Sequence, residues 1–368
     1  MESSFDVVVV GAGIGGLTAA ALLSARGTNV CVLERQSQVG GCIARVEFLS
    51  YDFEPGMGLY TSFGPGGIYE KLFSELPVGA PEVSLLASPY VLRRVDGRDV
   101  QLTKDDLYLI SGGPASLAER LAESIRSSGG KVRLNSPVLR LAYDESGRAT
   151  GVDLLSGERV FARKVVSNLT VWDTYGKLVG LNRTPAELKK RINTLQGTGV
   201  YIVYASIDES AVVRLPAERM RVEDAEGEFH MAVSSARGPD GKGAVTFTTR
   251  TEVEPWFSYQ SSEEDYEEWD QAALEKFWNR LHAALPELGG DIEVIETANP
   301  RTYYDITRRK LGMVLGVEPP VQDFSSRTFL PNVFIVGDTV SASATLDSVV
   351  ASAVSLVSLE CGGLPPLC

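Results

Sequence analysis

Phe5-Asp6-Val7-Val8-Val9-Val10-Gly11-Ala12-Gly13-Ile14-Gly15-Gly16 is the stretch that decides how this chain folds. Its first six residues form a largely β-branched, apolar run, the pattern of a parallel strand buried on both faces. The glycine turn follows at once. Leu17 to Arg26 continues as an Ala/Leu-rich helix that Gly27 can close. Asn29 to Leu33 is a second buried strand with Glu34 at its end. Each part has a physical job. Gly11 permits the tight turn, Gly13 lets a pyrophosphate approach the backbone, and Gly16 lets the helix pack against the strand. The N–H groups of the helix start, around Ile14 and Gly15, favour phosphate oxygens. Glu34 stands 23 positions after Gly11, where a carboxylate accepts bonds from adenosine ribose hydroxyls. The prediction is an α/β chain with a Rossmann-like dinucleotide-binding domain.

At 368 residues the chain has room for about two domains. Hydrophobic content of 44% and charged content of 23% are those of a globular protein. The net charge of −13 argues against a nucleic-acid partner, which needs a basic stripe. His230 and His282 are the only histidines, and no Cys/His cluster has ligand spacing, so no metal is expected. No apolar run reaches the 18 residues of a membrane span, leaving at most peripheral membrane contact. Cys31, Cys42, Cys361 and Cys368 are the cysteines. Cys31 falls inside a buried strand, and only Met1 to Ser4 precede the first strand, so a reducing cytoplasm is the expected location.

After Glu34 and Arg35 the chain reaches Gly40-Gly41-Cys42-Ile43-Ala44-Arg45. This resembles the extended fingerprint of two-dinucleotide-fold flavoproteins, in which a glycine pair passes close to the flavin nucleotide and a basic residue, here Arg45, follows. Cys42 has no second cysteine nearby, which excludes a local redox disulfide. It reads as a buried small residue or as a covalent flavin link. Tyr51 to Gly58 is a short strand ending in a glycine turn. It resembles the segment of phytoene desaturases and carotenoid isomerases that passes the flavin ring, so Met57, Gly58 and Tyr60 are expected near that ring.

The middle of the chain sharpens the resemblance. Gly112-Gly113, Ala118-Glu119, Gly129-Gly130, Val138, Gly151-Val152, Gly157-Glu158, Val165-Val166-Ser167-Asn168, Trp172-Asp173-Thr174 and Lys177-Leu178 occur in the order of the carotenoid isomerase branch of the phytoene desaturase family. The resemblance places backbone near Val138 at the adenine and Asn168 beside the nucleotide. Trp172 and Asp173 read as structural. Near the end, Leu330 to Val336 is a buried strand followed by Gly337-Asp338. In the resembled family that aspartate bonds the ribityl hydroxyls of FAD. The next helix, from about Asp347, starts where the flavin pyrimidine edge would lie, so Thr345, Leu346 and Asp347 are further candidates. The chain departs from the family in Thr339 to Leu346, where a Ser/Ala-rich loop replaces a glycine-rich one. It is also short for a carotenoid enzyme.

The resemblance implies FAD bound by a discontinuous domain, residues 1–60, 111–181 and 300–368. Residues 61–110 and 182–299 would form an α+β substrate domain on a mixed or antiparallel sheet. Alternation in Val200 to Ser206 puts Tyr201, Val203 and Ala205 on one face, without saying which face meets a ligand. The acidic helix 262–285 reads as core packing, or as a lipid-entry helix. Thr307-Arg308-Arg309-Lys310 reads as a solvated loop, or as a phosphate contact. The implied activity is desaturation, saturation or cis–trans isomerisation of an apolar polyene or isoprenoid by hydride or electron transfer at flavin N5, with an electron donor or acceptor left unidentified. The alternatives are an amine-oxidase-like enzyme for a polar amine, and an isoprenoid-binding module without catalysis.

Overall fold

The computed structural model describes residues 4–53, 55–56, 58–87, 89–102, 107–258, 263–318 and 326–358. The opening strand, Ser4–Val10, is central in a parallel sheet. It lies between Val30–Leu33 and Arg159–Ser167, flanked by Lys131–Arg133 beyond the former and Val333–Ile335 beside the latter. Alternation along the strand divides its valines. Val7 and Val9 pack under the helices Ile14–Ala25, Ala115–Ser127 and Leu346–Leu356, against Leu17, Leu121, Ile125 and Val350. Val8 and Val10 point the other way, into a cluster with Leu141, Val152, Trp172 and Tyr175. Burial on both faces is what the unbroken apolar run demanded. Tyr69, Leu72 and Phe73 of the helix Ile68–Ser74 join the first of these clusters.

Residues 159–167 form one strand, Arg159–Ser167. Its start pairs antiparallel with Ala149–Leu154, and its later part runs parallel to Ser4–Val10. One strand thus serves both the Val138–Tyr143 meander and the parallel sheet, a dual use that no local pattern signals.

The second sheet has the spatial order Ile292–Ala298, Gln196–Ile207, Gly243–Thr251, Gly227–Arg237, Arg219–Asp224, Tyr90–Arg93, Asp99–Leu102. Val314–Glu318 pairs with the start of the long strand Gln196–Ile207. All neighbours are antiparallel except Arg219–Asp224 and Tyr90–Arg93, so the sheet is mixed, as expected. The strand Arg219–Asp224 itself was not read from the sequence. The helix Glu263–Ala284 covers one face, where Phe277 and Leu281 meet Tyr201, Val203, Phe229 and Phe247. The opposite face presents Val200, Ile202 and Tyr204 to the hairpin Val46–Phe48/Tyr51–Phe53 and to Tyr303. Among the described residues no helix is long and apolar enough to cross a membrane, and no group of His, Cys, Asp and Glu could hold a metal ion.

Candidate nucleotide site

A cleft of about 440 Å³ opens at the carboxyl ends of the parallel strands, where ligands of open α/β sheets bind. Gly11, Gly13, Glu34, Arg35, Gly41, Cys42, Val138 and Asn168 line it. Residues separated by more than a hundred positions thus meet at one site.

The turn is built around Asn168. This residue directly follows Arg159–Ser167, the parallel neighbour of the first strand, and its N–H donates to Val10 O at 2.9 Å. A Cβ on Gly13 would lie 2.6 Å from Asn168 Nδ2, and one on Gly15 would lie 2.8 Å from Asn168 Oδ1. A Cβ on Gly16 would come within 2.4 Å of Gly11 O. The glycines are therefore required by the protein's own packing before any ligand is considered. Gly11, at φ +97°, and Gly337, at φ +122°, adopt backbone conformations that other residues rarely take. Gly337 brings the end of Val333–Ile335 to the same asparagine, 3.2 Å from its Oδ1 by the same measure. Ile14 is buried at the start of the helix.

The glycine pair closes the turn from the other side. Gly40 N donates to Ala12 O at 2.9 Å, and Gly40 bridges Gly13. A Cβ on Gly41 would stand 3.5 Å from Gly13 Cα. Glu34 is 9% exposed. Its Oε2 accepts from Ala12 N at 2.7 Å and its Oε1 from Gln36 N at 2.8 Å. Two amide bonds fix the carboxylate at the cleft and leave further lone-pair sites for hydroxyl donors.

Not every candidate lines this cleft. Arg45 Nε pairs with Asp52 at 2.6 Å and its guanidinium lies 3.5 Å from Glu47, with 59% of the side chain exposed. Among the described residues the cations lining it are Arg35, Lys177, Arg308 and Arg309, and of these only Arg309 is not exposed. Its Nη2 donates to Asp338 Oδ2 at 2.5 Å and its Nε to Met313 O at 2.6 Å. Burial works against its charge, but Asp338 and the Cys42 sulfur outweigh that, so its pKa stands above the ordinary value. Burial raises the Cys42 thiol, with Arg309 pulling the other way. Cys31 is pushed up to about 11, chiefly by burial, so this strand thiol is inert.

Tyr60, Thr345, Leu346 and Asp347 gather in a second group. Tyr60 and Tyr108 exchange backbone hydrogen bonds of 3.0 and 2.7 Å. Asp347, in the first turn of Leu346–Leu356, accepts from Thr61 Oγ1, from Ser62 Oγ at 2.8 Å and from Tyr69 OH at 2.9 Å. Thr345 caps that helix through Ser348 N. Gly58 is a turn glycine at φ +61°, and Met57 lies outside the described residues. Trp172 Nε1 donates to Ile192 O at 3.1 Å. Asp173 accepts from Thr170 Oγ1 and Lys310 N and pairs with Lys177, which ties the segment after Asn168 to the loop at 308–312. Thr170, Lys177, Leu139, Leu155 and Ile306 also line the cleft. Lys177 belongs to the Lys177-Leu178 pair of the resembled pattern, whereas Leu139, Leu155 and Ile306 carry no such signal.

A glycine cradle, a helix start, a fixed carboxylate and a cation around one cleft form a dinucleotide site. Residues 9–76 match a family described as an NAD(P)-binding Rossmann-like domain. Residues 95–355 match the flavin containing amine oxidoreductase family. The chain belongs to the flavin containing amine oxidoreductases, and its cofactor is FAD. It is 26% identical over 216 residues to the chloroplastic prolycopene isomerase of Arabidopsis thaliana, a match covering 55% of this chain and 36% of that protein. It is 33% identical over 97 residues to all-trans-retinol 13,14-reductase of Homo sapiens, covering 26% and 16% respectively. The chain thus spans little more than a third of the length of the first of these relatives. In fold it resembles an oxidoreductase from Methanosarcina mazei, with a TM-score of 0.72 at 16% identity over 96% of this chain and 99% of that one.

Proposed function

We propose that the protein is an FAD-dependent oxidoreductase, or redox-neutral isomerase, acting on an apolar polyene or isoprenoid small molecule. The observation that carries this is the apolar, aromatic face of the second sheet next to the cleft. Phe48 and Phe53 pack tilted against Tyr204, with ring centroids 5.4 and 4.9 Å away, and Tyr303 and Cys42 join the same cluster. Burial raises the phenols of Tyr204 and Tyr303 above their ordinary value. They stay neutral, so the cluster beside the cleft is apolar and uncharged. Cys42 touches both regions, since it also lines the nucleotide cleft. The names of the relatives, a prolycopene isomerase and a retinol reductase, fit a substrate of this kind.

In this reading Gly11, Gly13, Ile14, Gly15 and Gly16 hold the diphosphate, Glu34 the ribose, and Val138 the adenine. Asp338 takes the ribityl hydroxyls, and Gly58, Tyr60, Leu346 and Asp347 lie toward the ring. Bound FAD supplies the hydride or electron acceptor. The chain's own residues bind it, orient it and exclude water through the Phe48/Phe53/Tyr204 cluster. Free thiols at Cys31 and Cys42 suit a reducing, cytoplasmic setting. Desaturation would further require a separate electron acceptor.

The test is anaerobic incubation of photoreduced holoprotein with all-trans and cis polyenes and with aliphatic amines. Polyene turnover without flavin reoxidation means isomerisation; reoxidation with a more saturated product means reduction. Turnover confined to oxidised protein and amines overturns the polyene reading.

A further inference from the structure

The basic run 307–310 sends its three charges in different directions. Arg308 pairs with Asp305 at 2.9 Å and lies over the Tyr304 ring. Lys310 Nζ sits 5.4 Å from the Trp172 ring. Arg308 and Arg309 both line the nucleotide cleft, but Arg309 is the more buried, with 16% of its side chain exposed against 46% for Arg308. The backbone enforces this. Arg308 and Leu311 both hold positive φ, at 55° and 50°. Non-glycine residues keep such conformations only where their surroundings over-determine them. Gly312 cannot relieve the turn, because a Cβ there would stand 1.7 Å from Pro300 O.

Arg309 thus lines the cleft, whereas Arg45 does not and pairs with Asp52. Arg309 contacts Cys42, the residue after Gly41, and Gly41 backs directly onto Gly13. A planar guanidinium has five N–H donors and matches phosphate oxygens two at a time. The described bonds use Nε and Nη2. Its carboxylate partner, Asp338, is the residue that the FAD reading assigns to ligand hydroxyls. Both halves of this ion pair thus have a second partner on one dinucleotide.

We propose that Arg309 is the diphosphate-binding cation of this cleft and that Asp338 holds it in place until a nucleotide arrives. Binding exchanges one carboxylate for phosphate oxygens, and the released Asp338 becomes the acceptor for ligand hydroxyls. No bond is made or broken other than hydrogen bonds and the ion pair. This inference rests on the FAD reading of the cleft.

The experiment is calorimetric titration of flavin-free protein with FAD, ADP and adenosine, for wild type, R309M and D338N. R309M is expected to weaken ADP and FAD by about tenfold or more, the usual size of a lost charge-assisted hydrogen bond, while adenosine binding is unchanged. D338N is expected to strengthen ADP, which has no ribityl chain to lose and no longer competes with the carboxylate. Folding of each variant is checked by adenosine binding, so the D338N arm decides the matter if R309M does not fold. ADP affinity unchanged or raised in R309M means the side chain only plugs the cleft and overturns the proposal. Weaker ADP binding in D338N overturns the exchange. Wild-type protein that binds neither FAD nor ADP overturns the FAD reading itself, a different failure from wild-type binding that is indifferent to Arg309.

Discussion

The nucleotide end of the parallel sheet and the aromatic face of the mixed sheet are built on opposite plans. At the first, side chains are removed: Gly13, Gly15 and Gly16 leave room for one asparagine and a ligand. At the second, space is filled: Tyr204, Phe48 and Phe53 close the gap between sheet and hairpin. The first plan tolerates no added atom and the second tolerates no lost one.

This contrast can be broken by mutation. The largest effect is expected at the filled end. Tyr204→Ala should cost about 3–5 kcal/mol in urea unfolding, as for other buried aromatic truncations, while Tyr204→Phe should cost far less. Equal costs would mean that the hydroxyl rather than ring packing matters. At the glycine end, Gly16→Ala should cost about 1–3 kcal/mol through overpacking. Gly79→Ala, where an added Cβ meets nothing within 4 Å, should be close to neutral by the same measurement. If both substitutions cost the same, the crowding around Asn168 is not what selects glycine.

Glu34→Ala should lower FAD affinity by about tenfold in fluorescence titration, since one bidentate acceptor is lost and two amides are released. The smallest effect concerns pH. His230 lies in the second sheet, with Nδ1 buried and lacking a partner among the described residues. Burial lowers its pKa below the ordinary 6.5. Well above 6.5 the ring is neutral in both folded and unfolded chains, so it adds no pH dependence. As pH falls below 6.5 the unfolded chain takes the proton first, and stability declines until the folded pKa is passed. His230→Gln should flatten the decline of Tm as pH falls through 6.5. An unchanged slope would place the acid sensitivity elsewhere.

The same contrast explains what the sequence disclosed. The glycine end was legible because its constraints are local and backbone-based: a β-branched run, a turn that excludes Cβ atoms, a helix and an acid at fixed spacing. Gly337-Asp338 was legible for the same reason, after a buried strand. The family and its FAD followed from the resemblance that these motifs carry in order, and the mixed sheet from the alternating strands of the second domain. Arg45 illustrates the limit. Its spacing after Gly40-Gly41 fits a cleft residue, yet Asp52 on the neighbouring hairpin strand captures it. The choice between Arg308, Arg309 and Lys310 depends on backbone dihedrals that composition does not encode. Alternation in Gln196–Ile207 gave two faces. Only the helix Glu263–Ala284 on one and the 46–53 hairpin on the other assign them, and both are distant in sequence.

The central claim is that the two ends of the chain, Gly11 to Glu34 and Gly337-Asp338, hold one FAD. Reconstitution of purified protein with FAD, followed by gel filtration and a visible absorption spectrum, tests it most directly. About one flavin per chain should be retained, lost in Gly16→Val and weakened in Glu34→Ala. Colourless protein that takes up no FAD would contradict it.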